Sequence, residues 1–223
     1  MSPSTRFLSS SVGTKLLIGI TGVALALFLV SHVAGNLLIL KSNDAFNHYS
    51  HTLISNPLIP IIEIGLLLIA LTHATKAVGN YLDNRKARPV GYATVKSKGG
   101  PSRRSVASLT MVFSGLWLAL FVVIHLVQFK YGTHYASAEP GVRDLARLEY
   151  ETFQQPLVVA FYAISMLVVG SHLWHGIASS LQSLGVSHPA WTPRITLIGK
   201  VLATLIACGF LIVLLAVAFG AKG

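Results

Sequence analysis

The chain has 223 residues, of which 53% are hydrophobic and 11% charged, and its formal net charge at pH 7 is +10. Soluble domains carry about 25% charged residues, so this composition indicates a single membrane domain over residues 1–223. One cysteine, Cys208, excludes a disulfide framework, and the lack of a C-x-x-C-H motif excludes a covalently attached c-type haem.

Five apolar stretches are long enough to cross a bilayer, which takes about 20 helical residues. In chain order they are residues 16–40, 57–82, 106–129, 156–184 and about 194–220. Pro57 and Pro156 stand where the first turn of a helix tolerates proline. The sequence therefore predicts an all-α integral membrane protein with five transmembrane helices.

Lysine and arginine are unevenly divided between the two sides of these spans. Eleven lie on the side of the N-terminus: Arg6, Lys15, Arg85, Lys86, Arg88, Lys96, Lys98, Arg103, Arg104, Arg194 and Lys200. Five lie on the other side: Lys41, Lys130, Arg143, Arg147 and Lys222. This bias predicts a cytoplasmic N-terminus and an outer C-terminus in a bacterial-type inner membrane. The inner loop could also dock a partner, although topology alone explains the bias. Nucleic acid is not expected as a partner.

Each of the first four spans carries a histidine, and the fifth carries none. A single histidine inside a span is more often a packed, hydrogen-bonded side chain than a ligand, but this distribution is hard to obtain by chance. The intramembrane histidines are His32, His73, His125 and the pair His172 and His175. They are candidate ligands of a cofactor.

Depth divides these histidines into two pairs. His73 and His172 each lie sixteen residues after the proline that opens their span, or roughly 24 Å below the outer face. His32 and His125 lie roughly 8–12 Å from the same face. Two imidazoles are the axial ligands that a low-spin haem b requires. We therefore predict that the first four helices form a bundle around two stacked b haems, with His32 and His125 binding the outer one and His73 and His172 the inner one.

Three other ionisable residues within the spans are candidates for supporting roles. His175 lies one turn inward of His172 and is the less favoured iron ligand; it could instead contact a haem propionate or the inner surface. Lys76 lies one turn after His73, where it could pair with a propionate of the inner haem or extend to the cytoplasmic surface. Glu63 lies at the level of the outer pair. We expect it to accept a proton at that level, unless it is a protonated, hydrogen-bonded structural group.

Sequence fragments around the four histidines resemble the membrane cytochrome b subunit of succinate dehydrogenases and fumarate reductases, in its five-helix, di-haem form. The fragments are FLVSHVAGN around His32, EIGLLLIALTHA before and around His73, LFVVIHLVQF around His125 and GSHLWHGIASSLQSLG around His172. Each fragment alone is weakly specific, whereas the ordered set of four covers nearly the whole chain.

The resemblance implies a function and a set of partners. One chain would bind two b haems and a quinone, either menaquinone or ubiquinone, and Glu63 would then accept a proton from quinol at an outer quinone site. Its cytoplasmic face would dock an iron–sulfur subunit, which carries a flavoprotein subunit with the dicarboxylate site. The family's ligand pattern maps onto His32 with His125 and His73 with His172. Some members carry an acidic residue two positions before the fourth ligand; here that position is Gly170, which cannot serve a proton path of that kind.

Two other functions are compatible with intramembrane histidines. One is the cytochrome b subunit of a different respiratory complex, which the pattern of ligands on all four helices disfavours. The other is a transporter or proton channel that uses histidine and glutamate without a cofactor. Transporters often have spans interrupted by glycine or proline, and spans one, three and four lack a proline in mid-span.

Overall fold

The computed structural model describes residues 10–87 and 105–220. Within these ranges the regular elements are helices, apart from an isolated β-bridge between Ala136 and Arg143. In chain order the helices are α1 (Ser11–Asn36), α2 (Asn43–Ile54), α3 (Ile59–Lys86), α4 (Val106–Leu109), α5 (Met111–His125), α6 (Leu145–Thr152), α7 (Pro156–Ser183) and α8 (Thr192–Phe219). A 3-10 turn, Leu37–Leu40, extends α1, and a π-type turn, Leu126–Lys130, extends α5.

Five helices of the described chain, α1, α3, α5, α7 and α8, are long and apolar enough to cross a membrane. This confirms the predicted all-α fold with five spans. The bounds differ by a few residues, because helices α1 and α3 continue into polar segments that a hydropathy argument leaves out. Ser10 caps α1 by accepting a hydrogen bond from the backbone of Gly13, and α3 continues to Lys86.

Helices α1, α3, α5 and α7 form a closed ring. α1 packs against α3 and α7, and α5 packs against the same two helices. α1 therefore lies diagonally opposite α5, and α3 diagonally opposite α7. α8 lies outside the ring and packs most extensively against α7.

Small residues bring α8 close to its neighbours. A Cβ atom added to Gly209 would lie 2.6 Å from Cγ2 of Val33, and one added to Gly170 would lie 3.0 Å from Cβ of Ala207. Close approach of backbones through small residues is the usual basis of helix packing in membranes. α8 therefore supports α1 and α7 from behind.

The two short helices α2 and α6 pack on each other at the end of the ring that holds the 37–58 and 131–155 connections. Asn47 joins them: its Nδ2 donates to Oδ1 of Asp144 at 2.8 Å, and its Oδ1 accepts from the backbone N–H of Ala146 at 2.9 Å. Asp144 in turn caps α6 by accepting from the backbone of Arg147. Together α2 and α6 form an outer cap over the ring.

Candidate functional site

Two pairs of histidine rings meet across the diagonals of the ring. The ring centroids of His32 on α1 and His125 on α5 lie 5.8 Å apart. Those of His73 on α3 and His172 on α7 lie 6.5 Å apart. The structure thus brings together the same residues that the depth argument groups.

Hydroxyl groups orient the inner pair. Nδ1 of His73 lies 3.1 Å from Oγ1 of Thr21, and Nδ1 of His172 lies 2.9 Å from Oγ of Ser114. Each hydroxyl also has a carbonyl of its own helix within donating distance, Leu17 at 2.6 Å for Thr21 and Met111 at 2.9 Å for Ser114. When the hydroxyl hydrogen goes to that carbonyl, the oxygen accepts from an N–H at Nδ1. Both imidazoles then carry their proton on Nδ1 and have a free lone pair on Nε2, the form that binds a metal ion.

The orienting hydroxyls belong to a short repeat on opposite helices. In α1, Thr21 and Gly22 precede His32 by eleven and ten residues; in α5, Ser114 and Gly115 precede His125 by the same spacings. Eleven residues make close to three turns, so the hydroxyl and the histidine share one face and are roughly 16 Å apart along the axis. Each of these helices therefore carries a ligand candidate for the outer pair and an orienting group for the inner pair.

The glycine of each repeat lies against the inner pair. A Cβ atom on Gly22 would lie 3.2 Å from Cε1 of His73 and 2.7 Å from Oγ of Ser180, and one on Gly115 would lie 3.5 Å from Cε1 of His172. A larger residue at position 22 would displace the His73 ring. Glycine at this position thus preserves the space in which the ring and its hydrogen bond are held.

Aromatic rings surround the outer pair. Phe28 stacks on His32 with centroids 5.3 Å apart, and Phe121 and Phe129 contact the ring of His125 at 5.6 and 5.3 Å. The hydroxyl of Tyr162 lies 3.5 Å from Nδ1 of His125 and donates to Oε1 of Gln128 at 2.6 Å. The π-type turn that contains Gln128 and Phe129 directly follows His125, a position at which such turns often serve a site.

Both pairs fit bis-histidine coordination of one iron atom each. Metal–imidazole bonds of about 2.0–2.1 Å on both sides would hold the two ring centroids about 6 Å apart. The observed distances of 5.8 and 6.5 Å bracket that value. Among the described residues there is no group of three or more His, Cys, Asp or Glu that could hold a metal ion alone. A haem iron needs only two protein ligands, because the macrocycle supplies the others.

Comparison of the chain with known protein families, curated proteins and solved structures gives no match. The family resemblance therefore stays a prediction from the sequence fragments around the histidines.

The two residues expected to support the inner haem each lie one turn from an inner histidine. Lys76 lies on α3, one turn after His73, and is partly buried. His175 lies one turn beyond His172 on α7 and is also partly buried. His172, and not His175, is the residue whose ring contacts His73.

Glu63 is paired with a lysine rather than enclosed by the protein. Its side chain is 46% exposed and forms an ion pair with Lys130, which lies at the end of the π-type turn after α5. The proton-accepting role of Glu63 stays a prediction. Its partner Lys130 lies 67 residues further along the chain, and a contact at this sequence separation could not be predicted from the sequence.

Gly170 faces the supporting helix α8 rather than free space. Since its Cβ would lie 3.0 Å from Cβ of Ala207, a carboxylate side chain at this position would force α7 and α8 apart. The packing explains why this chain carries no acidic residue two positions before His172.

A cavity of about 250 Å³ lies beside the outer pair, between that pair and the outer cap. Its lining includes His32, His125, Phe46, Tyr49 and Glu149. Glu149 on α6 is 6% exposed, and its Oε2 has no hydrogen-bond partner in the described structure. Burial raises the pKa of Glu149 to about 8.

Thr21, Ser114 and Glu149 were not predicted from the sequence. The repeated hydroxyl–glycine pair eleven and ten residues before a histidine is a signal that could have found the first two. Glu149 gave no such signal, because it lies in a polar segment outside the predicted spans, where an acidic residue is ordinarily solvated.

Proposed function

We propose that the chain is the di-haem b, quinone-reactive membrane anchor of a succinate dehydrogenase or fumarate reductase. The observation that supports it best is the pair of histidine sites on the two diagonals of one four-helix ring. Separate pairs of this kind, roughly 16 Å apart along the helices, suit two stacked cofactors that pass electrons through the bundle.

Four histidines would hold the haems, His32 with His125 and His73 with His172. Haem b bound to such pairs supplies one-electron transfer. The chain's own residues set the conditions for it. Thr21 and Ser114 fix the tautomer and orientation of the inner histidines, and the rings of Phe28, Phe121 and Phe129 keep water from the outer ones.

The supporting roles of Lys76 and His175 belong to the same proposal. A partly buried ammonium group one turn from His73 suits pairing with a propionate of the inner haem. His175, one turn closer to the inner surface than His172, suits a second contact to that cofactor or to the inner surface.

In this proposal electrons pass between membrane quinone and a dicarboxylate, which react on different subunits. Membrane quinone, menaquinone or ubiquinone, reacts in this chain, and dicarboxylate chemistry takes place on a flavoprotein subunit. An iron–sulfur subunit between them would dock on the cytoplasmic, N-terminal side of a bacterial-type inner membrane. Most of the basic inner loop that would contact it, residues 88–104, lies outside the described residues. A basic docking face would mainly raise the association rate.

Haem analysis of the purified chain tests the proposal. Pyridine haemochrome assay should give two b haems per chain, and purification from the native membrane should bring down an iron–sulfur and a flavoprotein subunit with succinate:quinone or quinol:fumarate activity. A chain that binds no haem would refute the proposal and favour a cofactor-free transporter or proton channel. Two haems together with the subunits of a different respiratory complex would retain the cytochrome and overturn the partner assignment.

A further inference from the structure

The cavity beside the outer histidine pair combines an apolar entrance with a buried acid. Phe28, Leu53 and Ile54 line it and are themselves 37%, 42% and 60% exposed on the outside of the ring and cap. A ligand that arrives through such a rim is apolar and comes from the lipid. The carboxyl of Glu149, in contrast, is almost completely buried in the lining.

The unsatisfied oxygen of Glu149 requires a hydrogen-bonding partner from the cavity. Oε2 is buried and has no partner in the described protein, and a buried carboxyl oxygen left unpaired destabilises the structure. A ligand with an apolar body and a hydroxyl or carbonyl head group would pair with this oxygen. A quinone and its hydroquinone have this chemistry.

We propose that this cavity is the quinone site and that Glu149 exchanges protons with the bound quinone. The inference rests on the proposed function for its electron acceptor, and it assigns to Glu149 the role that the sequence suggested for Glu63. Glu149 is buried and lines the cavity, whereas Glu63 is half exposed and already paired with Lys130.

Oxidation of the hydroquinone breaks its two O–H bonds and releases two electrons and two protons. The electrons leave one at a time to a one-electron acceptor, which in the proposed function would be the haem b that His32 and His125 would hold. The protons pass in turn to the Glu149 carboxylate, which forms a carboxyl O–H each time and then releases the proton outward. In quinone reduction the protonated carboxyl donates instead. A pKa near 8 for Glu149 suits both directions close to neutral pH.

A second cavity of about 190 Å³ provides the outward route for the protons. It shares Ser50, Ile54 and Leu145 with the first cavity, so the two are neighbours. Its lining includes His51 and His134, whose imidazoles can relay a proton, and the guanidinium of Arg143. The second cavity lies among the cap and the 131–144 connection, and therefore leads away from the ring.

The ionisable groups around Glu149 come from three helices of the ring and from the cap. Tyr162 of α7 is close enough to interact with its charge, and His32 of α1, His125 of α5 and Tyr49 of α2 line the same cavity. His51 and Arg143 belong to the neighbouring cavity.

Labelling with the hydrophobic reagent dicyclohexylcarbodiimide tests the site in the wild-type chain. The reagent attacks protonated carboxyls in apolar surroundings, and mass spectrometry locates the adduct. We expect it on Glu149, with protection by decylubiquinone or menadione, and no adduct on the exposed Glu139 of the same outer side. Labelling of Glu149 that neither quinone reduces, or quinone-protected labelling of Glu63 in its place, would overturn the inference. Because this experiment needs no variant and no haem, it remains decisive if the proposed function fails.

Kinetics of Glu149→Gln test the proton role. Reduction of the haems by decylubiquinol or menadiol in a stopped-flow instrument should slow by about 100-fold or more, while haem content and succinate oxidation with an artificial acceptor stay normal. Glu139→Gln is the matched control and should react at the wild-type rate. An unchanged rate in a fully haem-loaded Glu149→Gln would refute the role of Glu149 while leaving the di-haem proposal intact.

Discussion

At the scale of single residues, each inner histidine has a hydroxyl group as the partner of its Nδ1. Thr21 and Ser114 accept from Nδ1–H, and this draws electron density toward Nε2 and makes the imidazole a stronger donor to a metal ion. A stronger donor stabilises ferric iron and lowers the reduction potential. The two hydroxyls should therefore tune the inner site without touching the cofactor.

Thr21→Val tests this tuning with little change in side-chain volume. We expect both haems to remain and the potential of the inner one to rise by roughly 20–60 mV, the equivalent of one lost hydrogen bond. Redox titration followed by absorbance measures the shift. Thr75→Val, which removes a hydroxyl from the exposed side of α3, is the matched control and should leave both potentials unchanged. An unshifted inner potential in Thr21→Val would contradict the assigned hydrogen bond.

Glu149 should make stability depend on pH. Its pKa is about 8 in the folded protein and about 4.5 when unfolded, so between these values only the folded state keeps the proton. As pH rises through this window the unfolded state gains its charge first, and the wild-type chain loses stability relative to Glu149→Gln, by roughly 3–5 kcal/mol at full extent. Thermal unfolding in detergent from pH 5 to pH 9 measures the difference between the two. A difference that stays constant with pH would show that Glu149 is ionised in the folded state.

At the scale of helices, the ion pair of Glu63 and Lys130 connects α3 to the end of α5. Exposed pairs of this kind contribute about 0–1 kcal/mol. We therefore expect Glu63→Gln to keep both haems and most quinone turnover, in contrast to Glu149→Gln. Quinol oxidation assays on the two variants side by side measure the contrast. If Glu63→Gln were the variant that abolished quinone turnover with full haem content, the original prediction for Glu63 would stand and that for Glu149 would fall.

The outer cap depends on Asn47, whose amide holds α2 and α6 together. In Asn47→Ala, the Oδ1 of Asp144 and the N–H of Ala146 both lose a partner, at a cost of roughly 2–4 kcal/mol. The cap should loosen and admit water to the outer pair before the inner one. We expect preferential loss of the outer haem and a shift of its potential, measured by haem content and redox titration. Asn43→Ala, at the partly exposed first residue of α2, should have no such effect, and equal loss of both haems from Asn47→Ala would argue against a local role of the cap.

At the scale of the whole molecule, the sequence predicts the spans well because bilayer thickness and helical rise set their length. The same rise places His32 level with His125 and His73 level with His172, without knowledge of which helices are neighbours. Which helices are neighbours, and hence that the pairs lie on the diagonals of a ring, follows only from the packing of α1, α3, α5 and α7.

Features that depend on contacts between distant segments were not predictable. The cap helices α2 and α6 are short and mixed in polarity, and no bilayer rule specifies them. Glu149 is buried only because α6 folds back over the outer pair, and Glu63 is paired only because Lys130 ends a neighbouring helix. The hydropathy of the local segment therefore does not give the surroundings of either carboxyl.

The two histidine pairs should be separable by mutation, because each diagonal uses two different helices. Replacement of His32 or His125 by leucine should lower the haem content from two to one per chain with loss of the outer haem, and replacement of His73 or His172 should remove the inner one.

Since α1 and α5 also carry Thr21 and Ser114, loss of the outer haem should still shift the potential of the inner haem by disturbing these helices. Pyridine haemochrome assay and redox titration measure both effects, and His48→Gln on the exposed face of α2 should retain two haems. Loss of the inner haem from His175→Leu but not from His172→Leu would reassign the fourth ligand, and loss of both haems from every variant would show that the two sites fold as one.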